Sequence, residues 1–343
     1  MTLRTFLSLL RGGQFRVLRS LSKAARDSHR VAFLAAGLTS GVLRRLAAGP
    51  VALDALAADL RIDPAMRDGL QAWLQAGVAL GEVERRPEGY VARGTLARLL
   101  TDPNHDAAAA FVEELASLHH RLLTKAPARL RTGRPFSLSE QNARLIARSS
   151  QLAEPFICET LARVVPRHGP VKLLEIGCGA AAYMLFAARW NPELTAVGLD
   201  PQAEAAALAT ENLARWHLGP RVAIAVGDIR DRTPDPSFDL ATLHQNIYYF
   251  PVAERPGLLR HVRGFLKTGG RLLLTTVCQG GGSTAAVLDL WGTMTAGCGR
   301  LPDPPELVAQ MGEAGFAGVT ARRLVPGESF YAFVGTNPGG ARP

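Results

Sequence analysis

The chain has 343 residues, 47% of them hydrophobic and 20% charged, ordinary values for a soluble globular protein with room for two domains. No window approaches ~18 consecutive apolar residues, so no transmembrane helix is expected. The apolar run at 6–10 is too short for a signal-peptide core, which makes a cytoplasmic location the expectation.

The net charge of +9 is concentrated at one end: residues 1–48 hold nine Arg or Lys against the single acid Asp27. A basic arm of this kind suits nucleic acid or an anionic surface. Leu3, Phe6, Leu10, Phe15, Leu18 and Leu21, however, recur at roughly helical spacing, which suits a helix docked on a partner subunit. The four cysteines, Cys158, Cys178, Cys278 and Cys298, show neither C-x-x-C nor metal-type spacing and read as reduced thiols, with no metal site expected.

From Val31 to about Leu100 the pattern is helix, turn, helix and a short hairpin. Gly49-Pro50 closes the first helix, and apolar positions three and four apart mark a second over 53–60. Asp63-Pro64 supplies a cap and first-turn proline for a third, which carries Leu70, Trp73, Leu74 and Val78 before Gly81. Alternation around Pro87-Glu88-Gly89 then predicts a two-stranded wing, completing a winged helix-turn-helix. Its candidate recognition helix offers Arg67, Asp68, Gln71 and Gln75, a poor surface for phosphates, so nucleic acid is not the expected partner. The competing non-enzyme reading is a winged-helix DNA-binding regulator with a ligand-sensing domain. Residues 105–168 read as a helical connector broken by the Gly/Pro-punctuated stretch 131–136.

After Lys172 the pattern changes to alternating strands and helices. Strand-like runs at 171–176, 194–199, 222–226, 238–243 and 270–277 are joined by helical stretches such as 203–216 and 254–266, and 317–324 and 329–334 read as a final edge pair. The expected fold is α/β: a Rossmann-like, mostly parallel seven-stranded sheet preceded by a helical, winged-helix domain. The expected divisions are 1–104, 105–168 and 169–343.

Three features fall at successive strand ends, where an open α/β sheet binds its ligands. The first is Glu175-Ile176-Gly177-Cys178-Gly179, a turn that lets a ligand approach the backbone and leads into a helix N-terminus. The second is Asp200, 25 residues after Glu175, a carboxylate for ribose hydroxyls. The third is Gly227-Asp228-Ile229, where Asp228 can meet an adenine amino group and Ile229 can pack on the ring. A dinucleotide dehydrogenase would explain the glycine turn alone, but the turn lies mid-chain and Asp228 has a ready role with adenine.

Residues 171–277 thus resemble the Rossmann-like class of S-adenosylmethionine-dependent methyltransferases, on Glu175/Gly177/Gly179, Asp200 and Asp228. The winged-helix module ahead of them is similar to that of the small-molecule O-methyltransferases of plant and bacterial secondary metabolism. That resemblance implies S-adenosylmethionine as cofactor, a small aromatic or heteroaromatic acceptor, and an N-terminal module that makes a homodimer and walls the substrate pocket.

Methyl transfer from a sulfonium needs positioning and, for a hydroxyl acceptor, removal of a proton. His244, at the end of the strand 238–243, is a candidate base because imidazole titrates near neutrality, or else a strand-end histidine that shapes the cofactor pocket. The family usually carries His-Asp-Trp here. Counting back without gaps from Lys267-Thr268-Gly269-Gly270 sets Tyr248, Tyr249 and Phe250 at those positions, so Tyr248 is the second catalytic candidate and the acid is missing. Carbon or nitrogen acceptors, which need less base assistance, stand beside oxygen; the family also includes members in which the bound cofactor does not donate its methyl. Tyr249, Trp291, Met294 and Thr295 are the expected substrate wall, with Phe330 and Tyr331 beyond; Glu328 is a candidate to orient a base or a solvated surface acid. The stretch 280–283 resembles a flexible loop gating the pocket.

Overall fold

The computed structural model describes residues 14–339, which form two compact units: one holds the chain up to Arg121 with Ala143–Ser149, the other holds Leu122–Asn142 and everything from Ser150 on. Leu3, Arg4, Phe6, Leu10 and Arg11 of the basic arm lie outside the described residues. The stretch 105–168, expected to stand as one connector, is divided between the units, and its ion pairs show why residues 143–149 go with the first. Arg148 grips Asp106 with two hydrogen bonds of 2.8 and 2.7 Å and reaches Glu113, tying that short helix to the one at 106–114.

In the first unit, α1 (Gln14–Thr39) is solvent-exposed over its N-terminal half and buries Phe33, Leu34 and Leu38 near its end. Phe33 stacks on Trp73 of the later helix at 4.1 Å. Two short helices follow, α2 (Val42–Ala47) and α3 (Leu53–Asp59). Asp63 accepts a hydrogen bond from Ala65 N and opens the turn into α4 (Arg67–Leu80), which Gly81 ends at φ 82°. Strands β1 (Val83–Arg86) and β2 (Gly89–Ala92) pair antiparallel as the wing. Glu82, buried, accepts from Arg30 of α1 and from Ala97 N of α5 (Thr95–Leu99), so one carboxylate joins three elements. On the outer face of α4, Arg67 is paired with Asp54 at 2.6 Å, which further weakens that face as a phosphate surface. The unit is completed by α6 (Asp106–Glu114), a π-helical turn (Leu115–His119), the first residues of α7 (His120–Thr132), and α8 (Ala143–Ser149).

The second unit opens with the rest of α7 and α9 (Glu154–Val164), then alternates strand and helix. Its elements are β3 (Lys172–Ile176), α10 (Ala182–Trp190), β4 (Thr195–Asp200), α11 (Ala203–Arg215), β5 (Val222–Val226), β6 (Phe238–His244), α12 (Arg255–Arg263) and β7 (Leu266–Val277). After these come α13 (Ser283–Met294), α14 (Pro304–Glu313), β8 (Ala317–Arg323) and β9 (Phe330–Thr336). The seven strands lie in the order β5-β4-β3-β6-β7-β9-β8; β3 to β7 run parallel, and β9 is antiparallel to both neighbours.

The central strands are apolar on both faces because helices cover both. Leu173, Leu240 and Leu273 pack with Ile157, Leu161, Met184 and Leu213 of α9 to α11, while Leu174, Leu272 and Leu274 pack with Leu259, Leu307 and Met311 of α12 and α14. β7 begins four residues before the expected strand at 270–277: a register shift between Phe238 and Leu240 of β6 accommodates Lys267 to Gly270, with Gly269 at φ 81°. Strand order reverses direction at β3 and β6, which leaves the turn after β3 at the switch point where open sheets take their ligands.

Candidate cofactor and acceptor site

The turn after β3 holds three left-handed residues, Gly177 (φ 70°), Gly179 (φ 51°) and Ala181 (φ 65°). Gly177 N and Cys178 N both donate to Leu199 O, at 2.8 and 3.0 Å, which lays the turn across the end of β4. A Cβ at Gly177 would stand 2.6 Å from Asn246 Nδ2, itself donating to Ile176 O, and φ 70° is strained for a side chain, so the position favours glycine. Asp200 closes the turn from β4: its Oδ2 accepts from Gly179 N and its Oδ1 from Gln202 N, both at 2.9 Å. Each oxygen keeps a further lone pair for an incoming hydroxyl.

Glu175 is 1% exposed, and neither carboxyl oxygen has a hydrogen-bond partner. Burial pushes its pKa up to about 8, so it holds its proton near neutrality unless a cation enters. Past the end of β5, Asp228 is held by Arg230, whose backbone N donates at 2.9 Å and whose guanidinium reaches both oxygens. That pairing keeps the Asp228 carboxyl below the usual carboxylate range. Arg230 also lies 5.2 Å over the Phe250 ring. The Ile229 side chain is packed in the core with Leu199 and Leu258, and its carbonyl meets His261 Nε2 at 2.9 Å.

His244 ends β6 on the face of the sheet that carries Glu175, two residues beyond Thr242, the strand neighbour of Glu175. Its Nδ1 bonds Thr275 Oγ1 at 2.8 Å, Nε2 is buried without a partner, and the Tyr183 ring meets it edge-on at 4.8 Å. Burial lowers the imidazole to about 3, which makes it neutral and weakly basic. The next residue, Gln245, is left-handed at φ 57°; its N donates to Thr275 O and its side-chain oxygen accepts from Val277 N. Thr275, Tyr183 and Asn246 had no signature in the sequence, because each acts across the strand register or from a neighbouring helix.

Tyr248 and Tyr249 stack at 5.3 Å, and Trp291 of α13 meets both, at 5.9 and 5.2 Å. Met294 packs in the same cluster with Leu122 and with Phe136, the last residue of the Gly/Pro-punctuated stretch 131–136. Phe136 is placed by a bridge to Thr295, with its N donating to Met294 O at 2.7 Å. Thr295 lies one residue past α13 in extended backbone, and its hydroxyl donates to Trp291 O at 2.6 Å.

Two expectations are corrected. Phe330 packs in the core beside Leu273, and the Tyr331 hydroxyl accepts from Arg323; neither joins this cluster. Glu328 stands exposed in the turn before β9, the solvated alternative for that acid. The glycine stretch is anchored where it begins: Cys278 N donates to Ser329 O, Gln279 N donates to Pro302 O, and a Cβ at Gly281 would lie 2.2 Å from Ser329 Oγ. Gly281 serves close packing there, whereas a Cβ at Gly280 or Gly282 would meet nothing within 4 Å. Among the described residues no group of three or more His, Cys, Asp or Glu could hold a metal ion.

Residues 174–272 match the profile of a family described as a methyltransferase domain. The demethylspheroidene O-methyltransferase of Rhodobacter capsulatus is 26% identical over 195 residues, 55% of this chain and 48% of that protein; the chain thus matches about half the length of this curated relative. Among solved structures, a mitomycin 7-O-methyltransferase superposes with a TM-score of 0.79 at 17% identity, covering 95% of this chain and 99% of the other. Human N-acetylserotonin methyltransferase, solved with S-adenosylmethionine, gives 0.73 at 18% identity, covering 94% and 98%. Sheet order, glycine turn and these likenesses define the class, a Rossmann-like methyltransferase fold behind a helical N-terminal unit. The stretch that matches this methyltransferase domain, residues 174–272, lies within the second unit and runs from β3 into β7.

Proposed function

We propose that this protein is an enzyme that transfers a methyl group from S-adenosylmethionine to an aromatic or heteroaromatic small molecule of secondary metabolism. The observation that carries the reading is the buried, unpartnered Glu175 carboxyl at the end of β3, followed by Asp200 and Asp228 at the ends of the next two strands. The set fits the cofactor: Glu175 for the ammonium of its amino-acid end, Asp200 for the ribose hydroxyls, and Asp228, giving up one of its bonds to Arg230, for the adenine amino group. Gly177 and Gly179 keep the backbone approachable, and Ile229 backs the adenine corner from the core. When bound, the cofactor supplies a methyl group on a sulfonium, open to in-line attack.

Tyr248, Tyr249, Trp291, Met294 and Thr295 are proposed as the acceptor wall, orienting a flat ring by stacking and edge contacts. Residues 14–121 are proposed to form a homodimer through α1, where Val17, Leu18 and Leu21 are more than half exposed on a helix whose inner residues begin only at Phe33. His244 shapes the pocket in this reading; a neutral imidazole held near a pKa of about 3 is a poor proton acceptor at neutral pH. The acceptor therefore brings its own nucleophile, either a hydroxyl acidic enough to ionise in water or a ring carbon or nitrogen.

The test is transfer of labelled methyl from S-adenosylmethionine to a panel of hydroxyarenes and N-heteroarenes. We expect turnover by the wild type and retention of at least about a tenth of it in His244→Ala, since general-base catalysis contributes roughly 100-fold or more where it operates. Loss of turnover in His244→Ala with cofactor affinity intact would restore the histidine as base. No labelled product from any acceptor would contradict the proposed activity.

A further inference from the structure

We propose that Arg255 is a positioning residue for the acceptor side of the site, holding the tyrosine pair after β6 against the segment that follows α13; this rests on the reading of Tyr248, Tyr249 and Trp291 as the acceptor wall. Arg255 is 0% exposed and heads the largest fully buried side chains among the described residues. Burying a guanidinium is costly, and here no carboxylate is bonded to it. Its Nε donates to Phe250 O at 3.2 Å and its Nη2 to Arg300 O, two carbonyls from separate segments. One planar fork thereby spans the gap between them, which the single ammonium of lysine does not reproduce.

Both segments belong to the aromatic wall. Phe250 follows Tyr248-Tyr249 directly, and Gly299 N donates to Tyr248 O at 3.0 Å. Arg300 leads to Leu301, whose N is held by Asp289 of α13 at 2.6 Å, two residues before Trp291 in that helix. The contact is packed to the limit: a Cβ at Gly299 would lie 2.7 Å from Phe250 O and 2.9 Å from Arg255 Nη2, and one at Gly292 would lie 2.4 Å from Gly299 O. Arg255 makes no hydrogen bond to Glu175, Asp200 or Asp228, so its tie bears on the tyrosines and Trp291, not on the cofactor acids.

The experiment compares full-length wild type, Arg255→Lys and Gly299→Ala, the last breaking the same tie from the opposite side. Amide hydrogen exchange, near-ultraviolet circular dichroism and S-adenosylhomocysteine titration are measured on each. We expect protection of the amide at position 299 to fall at least about tenfold in both variants while that at Leu273 and Leu274 in β7 holds. The aromatic dichroism should weaken with the far-ultraviolet signal kept, and S-adenosylhomocysteine affinity should stay within about twofold of wild type. With an acceptor that the wild type methylates, KM should rise about tenfold or more and kcat should change little. Unchanged protection at position 299, a parallel loss across β7, or an equal loss of S-adenosylhomocysteine affinity would overturn the proposal. If wild type methylates no aromatic acceptor while the exchange and dichroism changes occur, the tie stands and the acceptor-wall reading fails.

Discussion

Glu175 and His244 are buried on one face of the sheet with opposite consequences for pH. The Glu175 pKa, raised from 4.5 to about 8, stabilises the ligand-free fold fully below its unfolded value, and the contribution is lost as pH rises through about 8. His244, lowered from 6.5 to about 3, contributes above its unfolded value, and that part is lost as pH falls toward about 3. If an ammonium meets Glu175, the carboxyl must ionise on binding. Titration of S-adenosylhomocysteine near pH 7 in buffers of different ionisation heat should therefore release up to about one proton in wild type and none from this site in Glu175→Gln. Equal release by both proteins would remove Glu175 from the cofactor's amino-acid end. The positions of Glu175, Asp200 and Asp228 at or just past strand ends were legible in the sequence because each lies at the end of an apolar run. The pairing of Asp228 with Arg230 and the seating of His244 on Thr275 were not, since side-chain partners follow from register and rotamer, which no local pattern encodes.

At the scale of elements, apolar periodicity located the strands of the second unit and several of its helices, though not α14, and Gly/Pro punctuation located most of their turns. It failed where a residue acts against its type. Ala181 and Gln245 adopt left-handed backbone without being glycine, so the conformation of those two residues could not be foreseen. Gly281, within the stretch that resembled a flexible gating loop, is a packing glycine under Ser329. Thr295, spaced as a helical partner of Trp291, lies just beyond α13 and reaches it through a backbone bond instead. The turn after β3 joins both kinds of requirement, positive φ and close approach. Gly177→Ala should cost ~1–2 kcal/mol of stability from φ alone and more from displacing Asn246. We expect a lower unfolding midpoint and S-adenosylhomocysteine binding weakened at least about tenfold; a variant with wild-type affinity would show that the turn does not line the cofactor site.

For the whole molecule, a winged-helix unit ahead of a Rossmann-like unit was legible from the change in period near Lys172. The division of residues 105–168 between the units was not, because it depends on ion pairs such as Arg148 with Asp106 that join distant helices. The homodimer proposed through α1 is checked by light scattering: Leu21→Glu, which sets a charge on the exposed apolar stripe, should shift a dimeric wild type toward monomer, and an unchanged mass would move the interface elsewhere. The cofactor site itself is tested most directly by calorimetric titration of S-adenosylhomocysteine into wild type and Asp200→Ala. We expect one site per chain in wild type and affinity reduced by roughly 100-fold or more in the variant, the loss of charge-assisted bonds to two hydroxyls. No binding by wild type, or wild-type affinity in Asp200→Ala, would contradict the assignment.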